Sequence, residues 1–340
     1  MHPHADHSSP PKPPASAAEV FPRVSSSVQI SAEGGLQKLS FTAMSTRCVV
    51  QFHGVSAAVT RDFCRDVVAW VAGFEARYSR FIPDSLIGSI NAAAGERWVE
   101  IDADTERLFA FCNELVFFSH GAFDPTALPL IRLWNWKARP PVVPDESQIS
   151  AARELVGWNK VQRRPGAIFL PRQGMCLDLG GIGKEYAVDC VMNLAAERGI
   201  RNVLVDFGQD VRARGAAVGK DHWRIGLEDA SKPGECWVSV KVTDHAVATS
   251  GDYVRAFEHE GRRYGHIVDP RTGYPVDKGC RAVSVIAPSC TIAGILSTTA
   301  MILGSKDGLH LIESHLNAEG AITTDSSRVY TRGFGGFVSA

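Results

Sequence analysis

Two hydrophobic rhythms alternate along the chain in no regular order. LSFTAMSTRCVVQFHG, residues 39–54, alternates apolar and polar positions and is rich in β-branched and aromatic side chains, which predicts a strand or hairpin. Residues 56–77 then place Val59, Phe63, Val67, Val71 and Phe74 at helical spacing, one face turned to a core. IPDSLIGSIN predicts a short helix capped by Asp84 or Ser85. Leu108, Phe111, Leu115 and Phe118 mark a second amphipathic helix over 104–119, which ends at the Gly- and Pro-punctuated loop SHGAFDPTALPL.

The later chain is read in the same way. PDESQISAARELVG predicts a short helix, and MCLDLGGIGKEYAVDCVMNLAAERGI a strand, a Gly turn and a helix. RNVLVDFGQDVRARG predicts two strands about a Gly-marked turn, and residues 222–288 are strand-rich, with YGHIVDP among the strands. Residues 291–304 predict a buried helix, and GAITTD with RVYTRGF a closing hairpin. No regular βαβ alternation links these elements. The expected fold class is therefore α+β, with a mixed, largely antiparallel sheet flanked by helices, not a doubly wound fold.

Composition narrows the class. With 45% hydrophobic and 21% charged residues, the 340-residue chain has the make-up of a soluble globular protein with a sizeable core. A net charge of −1 supplies no field that would draw it to nucleic acid or an anionic membrane. No apolar run approaches the ~20 residues of a membrane span. The eight cysteines have no CxxC spacing and read as small hydrophobes in a reducing compartment. The opening MHPHADHSSPPKPPASAAEV lacks the basic and apolar regions of a signal peptide. We expect a disordered tail over 1–27, a single domain over 28–340 and a cytoplasmic location.

Four loops carry candidate chemistry, each with a plain structural alternative. In HGAFDPT (120–126), Asp124 is either a ligand acceptor or the anchor of an Asx turn. In DLGGIGKEYAVD (178–189), a Gly turn opens a helix and Lys184 adds a charge, which suits a phosphate but also suits close helix packing. ATSGDY (248–253) gathers Thr249, Ser250 and Asp252 in a tight turn. In GHIVDPRTGYP, His266 opens a short strand before a rigid corner, where it serves as a general base, a phosphate contact or a structural residue.

Together these segments resemble the ApbE family of FAD:protein FMN transferases. The resemblance runs from about residue 38 to 335 through AMSTRC, YSRFIPDSLIGSIN, GAFDPTALPLIRLWNW, LDLGGIGKEYAVD, VLVDFGQD, VATSGDY, HIVDPRTGYPV and AGILSTTAMILG, in that order. It implies an ApbE-like fold and a metal-dependent transferase. Such an enzyme splits the FAD pyrophosphate and attaches FMN through a phosphoester to a Thr or Ser of an acceptor flavoprotein, releasing AMP. It implies flavin contacts at Met44, Phe81, Ala122, Phe123, Asp124, Asp178, Lys184 and Ile267, with His266 activating the acceptor hydroxyl.

The resemblance also implies Mg²⁺, held by an Asp, a Thr four residues later and a carbonyl of the DLxG turn. Here Thr298 and Gly181 match, but Gly294 stands where the Asp is expected. Asp124, Asp252 or water are the expected substitutes. Two further departures are Gln209, where a second Gly is usual, and Glu185, where Gly is common. These departures leave two alternatives beside transfer: an FAD-binding homologue without turnover, and an FAD pyrophosphatase.

Overall fold

Nine strands pair side by side in the order in which the chain makes them. They are β1 (Gln29–Glu33), β2 (Leu36–Ala43), β3 (Thr46–His53), β4 (Asn202–Phe207), β5 (Asp210–Arg214), β6 (Ala246–Gly251), β7 (Cys280–Ala287), β8 (Glu319–Thr324) and β9 (Arg328–Tyr330). Every neighbouring pair is antiparallel. The structure is a computed structural model that describes residues 16–252 and 255–339. It realises the expected α+β class.

Helices cover one face of the sheet: α1 (Val20–Ser26), α2 (Ala57–Tyr78), α7 (Gly183–Glu197), α8 (Cys290–Leu303) and α9 (Ser305–Ser314). The remaining helices, α3 (Leu86–Ala92), α4 (Ala103–Phe118), α5 (Leu128–Leu133) and α6 (Glu146–Glu154), lie in the long connection from β3 to β4. The apolar stripe of α2 behaves as its spacing predicts, with Phe63, Val67 and Val71 fully buried. An antiparallel hairpin, Trp223–Asp229 with Lys232–Val242, covers the other face. That two-sided cover explains why β7 is apolar almost throughout: Val283, Val285 and Ala287 meet the helices, and Ile286 enters the opposite core. A third core of Ile87, Ile90, Leu108, Phe109, Leu115 and Ile168 holds the long connection together. Among the described residues no helix is long and apolar enough to cross a membrane.

The structure departs from the sequence reading in three places. Residues 17–26 were expected in a tail, but they form a short 3-10 turn and α1, with Val20 and Val24 fully buried. Only 1–15 of that expected tail lie outside the described residues. The expected cap of α3 by Asp84 or Ser85 is present as Ser85, which accepts the Gly88 N–H at 2.9 Å, while Asp84 accepts the Ala17 N–H at 2.8 Å and ties down the N-terminal segment. The strand expected before the Gly turn is absent, because a side chain replaces a partner strand. The Asn91 amide donates to the Leu177 carbonyl at 3.0 Å and accepts the Leu177 N–H at 2.6 Å. Finally, His266 does not open a strand. It follows the strand Arg262–Gly265, and beyond it only an isolated bridge joins Val268 to Pro275.

Candidate active site

One end of the sheet carries two strained turns side by side. Met44 and Ser45 form the two-residue link from β2 to β3, with φ of 50° and 59°. Gly208 and Gln209 link β4 to β5, with φ of 66° and 74°. Tight hairpins ask for this left-handed geometry, but they usually take Asn or Gly to supply it. Met44, Ser45 and Gln209 accept a steric cost of ~1–2 kcal/mol each. Buried Glu75 pins the first turn by accepting the Met44 N–H at 2.8 Å, and Arg23 pairs with Glu75 at 2.7 Å. The turns touch: a Cβ on Gly208 would lie 2.3 Å from Thr46 Oγ1.

Below them α7 starts without a side-chain cap, its N-cap being Ile182. Gly183 donates its N–H to the Leu179 carbonyl at 2.7 Å, and the N–H groups that follow in the first turn depend on whatever adjoins them. Lys184 pairs with buried Asp210. Burial disfavours the Lys184 ammonium, but the neighbouring Glu185 and Asp210 carboxyls outweigh it and hold its pKa above the ordinary lysine range. Burial raises the Asp206 carboxyl as well.

The 120–126 loop sits against this turn. Asp178 donates its N–H to the Pro125 carbonyl at 2.8 Å, and a Cβ on Gly181 would meet the Phe123 ring at 3.4 Å. Ala122 and Phe123 are buried, and Phe123 donates its N–H to Ser119 Oγ at 3.0 Å. Asp124 follows the structural alternative. Its Oδ1 accepts the Thr126 N–H at 2.7 Å and the Thr126 hydroxyl at 2.6 Å, and its Oδ2 accepts the Trp158 N–H at 2.9 Å. Asp178 accepts the Gly180 N–H at 2.9 Å and pairs with Arg80 at 3.0 Å. The Arg80 guanidinium lies 4.0 Å over the Phe81 ring, which is 54% exposed and so open to a planar ligand.

The corner after His266 is over-determined. The Asp269 carboxylate accepts the Arg271 N–H at 2.9 Å and both ends of its guanidinium at 2.9 and 2.8 Å. Gly273 turns at φ 84° and donates its N–H to the Asp269 carbonyl at 2.8 Å, while Trp134 Nε1 donates to the Gly273 carbonyl at 2.7 Å. Ile267 leans on the main core, and its carbonyl accepts the Val276 N–H at 2.9 Å. His266 donates its backbone N–H to the Arg255 carbonyl at 3.0 Å, and its Nδ1 is buried without a partner. Burial, with the Arg255 charge adding to it, lowers the imidazole to about 4. A neutral, partly orphaned imidazole is free to take a proton.

The α7–α8 seam completes the arrangement. Ser250 Oγ lies 2.9 Å from both the Ser297 and Thr298 hydroxyls. Opposite Gly294, the side chain of Glu185 occupies the space. A Cβ at 294 would stand 2.7 Å from Glu185 Cγ and 3.0 Å from its Oε1. Glu185 is buried, its Oε2 has no partner, and burial, with Asp210 adding to it, pushes the carboxyl above its usual range. Asp252, one expected substitute for the missing carboxylate, instead faces Arg281 at 3.3 Å and Arg263 at 3.5 Å. Asp124, the other, already accepts three hydrogen bonds from Thr126 and Trp158.

Contacts thus chain the loops into one locus. Gly121 lies beside Arg271, Phe123 beside Gly181, Glu185 beside Gly294, Thr298 beside Ser250, and Asp252 beside Gly265, the residue before His266. Tyr253, the last residue of the ATSGDY segment, lies outside the described residues. Sequence reading missed Glu75 and Asp210. A signal for Glu75 was present, an acid next to Phe74 on the buried stripe of α2. A cavity of about 570 Å³ lined by Ile101, Glu106, Phe109 and Arg163 lies elsewhere and contains none of the candidate residues. The cysteines are free thiols, and burial pushes Cys64 and Cys280 up to about 11, as small hydrophobes.

Among the described residues no three His, Cys, Asp or Glu side chains gather to hold a metal. A cation here would rest on a mixed oxygen set: the Thr298 hydroxyl, the Gly181 carbonyl and one buried carboxylate with an orphaned oxygen. Oxygen-only donors fit a hard divalent ion.

Comparison with known proteins shows the family and the fold. The family model described as the ApbE family matches residues 44–322. The FAD:protein FMN transferase of Treponema pallidum is 32% identical over 265 residues, 72% of either chain. That of Vibrio cholerae is 31% identical over 243 residues, 70% of this chain and 72% of its own. The flavin transferase ApbE from Vibrio cholerae superposes with a TM-score of 0.78 at 25% identity, covering 91% of this chain and 100% of that one. An ApbE protein from Thermotoga maritima gives 0.80 at 28%, covering 92% and 100%.

Proposed function

The chain belongs to the ApbE family, and we propose that it works as an FAD:protein FMN transferase acting on a Thr or Ser hydroxyl of an acceptor flavoprotein. The observation that supports this reading is an orphaned, neutral His266 on one of the loops that contacts chain to the start of α7, which carries Lys184. Such a helix end and an ammonium bind the negative pyrophosphate and orient it. Phe81 and the buried Ala122–Phe123 edge offer apolar surface to the flavin side.

In the reaction the acceptor oxygen bonds to the phosphorus of the FMN half. The P–O bond to AMP breaks, the hydroxyl proton passes to the His266 imidazole, and AMP leaves with its phosphate. The Asp269–Arg271 corner keeps the imidazole from drifting. Thr298, Gly181 and a carboxylate of the α7–α8 seam would hold Mg²⁺, which supplies positive charge against the pyrophosphate when bound. We infer a cytoplasmic acceptor.

Gly294 favours a second reading, a homologue that retains FAD without turning it over. One assay separates them: purified protein, FAD, Mg²⁺ and a Thr-containing acceptor domain, followed by AMP release and acceptor mass. A gain of one FMN on the acceptor, with AMP in equal amount, is the expected result. FAD retained without AMP would establish the second reading, and free FMN with AMP would mean hydrolysis.

A further inference from the structure

A residue without a side chain on a buried helix face leaves a hole unless something fills it. At Gly294 the filler is a carboxylate from another helix. Glu185 approaches so closely that no side chain fits at 294 without displacing it. Glu185 is only 9% exposed, and its Oε2 lacks any hydrogen-bond partner. Leaving a carboxylate oxygen buried and orphaned is costly, and such an atom calls for an explanation, a missing ion among them.

The surroundings supply oxygen donors. Gly181 lies in the turn that leads into α7, four residues before Glu185, and on α8 Thr298 follows Gly294 by one turn, so that pair shares a face. Thr298 is half-exposed, its hydroxyl 2.9 Å from Ser250 Oγ. The competing carboxylates have other duties. Asp189 accepts the Cys290 and Thr291 N–H groups, each at 2.9 Å, and pairs with Arg212 at 2.8 Å. Asp210 pairs with Lys184, Asp252 has an unpartnered Oδ1 but its Oδ2 faces two arginines, and Asp124 already accepts from Thr126 and Trp158.

We propose that Glu185 supplies, from α7, the carboxylate ligand of a divalent cation that a residue at position 294 of α8 would otherwise supply. This rests on the transferase reading for its cation, but its test does not depend on turnover.

The test is Mn²⁺ binding to the full chain with FAD present, followed by loss of the free-ion EPR signal, with Mg²⁺ competing. Four proteins are compared: the natural chain, Glu185→Gln, Gly294→Ala, and the double variant Glu185→Gly with Gly294→Asp. The natural chain is expected to bind one Mn²⁺. Glu185→Gln should weaken Kd by about tenfold or more, since ligand charge sets affinity at oxygen sites. Gly294→Ala, whose Cβ pushes Glu185 aside, should weaken it less, and the double variant should restore it. Thermal unfolding without metal shows whether each variant is folded.

Unchanged Mn²⁺ affinity in a folded Glu185→Gln overturns the proposal, as does a natural chain that binds no Mn²⁺ while the double variant binds it. FMN transfer on the same samples separates the two claims. Transfer that persists with Mn²⁺ binding indifferent to Glu185 refutes the ligand and leaves the function standing. Glu185-dependent Mn²⁺ binding without transfer does the reverse.

Discussion

The corner at 269–273 and the seam between α7 and α8 treat polar atoms in opposite ways. In the corner, each carboxylate oxygen of Asp269 meets an Arg271 nitrogen, the Gly273 carbonyl accepts the Trp134 indole, and the Arg271 carbonyl accepts Arg153 at 2.9 Å. At the seam and the turns beside it, Glu185 Oε2, Asp252 Oδ1 and His266 Nδ1 are buried with no partner. Nearly all buried polar groups in folded proteins are satisfied, so the contrast assigns roles. On the proposed reading the saturated corner is scaffold, and Glu185 Oε2 and His266 Nδ1 are the atoms that meet a ligand and a proton.

The strongest way to break that contrast is His266→Ala. We expect FMN transfer to fall by roughly 10²–10⁴-fold, the usual contribution of general base catalysis, with FAD affinity changed only a few-fold. Comparable transfer rates in a single-turnover AMP assay would demote His266 to a structural residue. Next is Asp269→Ala, which leaves the Arg271 guanidinium without its bidentate partner. It should cost about 2 kcal/mol in urea unfolding, as a lost charged hydrogen-bonding group does. A melt like that of the natural chain would mean the corner is not scaffold.

A pH series sharpens the comparison further. His266 sits at about 4 in the fold against an ordinary 6.5, so the unfolded chain takes up the proton first. The imidazole therefore stays a neutral base down to about pH 4, and the acid limb of kcat/KM should fall there, not near 6.5. Its contribution to stability is lost as pH drops from about 6.5 to 4. The smallest effect is expected for Ser45→Gly, which removes a Cβ from a φ of 59° and should stabilise the chain by about 1 kcal/mol in thermal unfolding.

Much of the frame was legible because periodicity reports burial directly. The α2 stripe, the hairpins around Met44 and Gly208 and the apolar α8 all stand where the pattern puts them. The failures share a cause: an interaction distant in sequence overrode a local signal. MCLDLG has the look of a strand, but the Asn91 amide took the place of its neighbour. The inner part of the presumed tail is held by Asp84 and by burial of Val20 and Val24. In the site, Gly294 and Glu185 each read as an isolated departure, and only packing of α7 on α8 makes them one event. Asp124 reads as a ligand acceptor or a turn anchor, and its bonds to Thr126 and the distant Trp158 show that it anchors the turn, which its own loop alone does not reveal.

The chain-order sheet has a kinetic side. β1 to β3 are joined by two-residue turns, as are β4 and β5, so these ribbons can form early from local contacts. The pairing of β3 with β4 is different, since residues 54–201 must be looped out before Cys48 can face Phe207. Such a closure bears the largest chain-entropy cost and sets the pace of assembly. The turns at Met44 and Gly208 become neighbours only at that junction, so the pocket should come into being with the last stitch of the sheet. In a refolding experiment, recovery of flavin binding should then follow the slowest phase of tryptophan fluorescence, and earlier recovery would place the junction ahead of the rest.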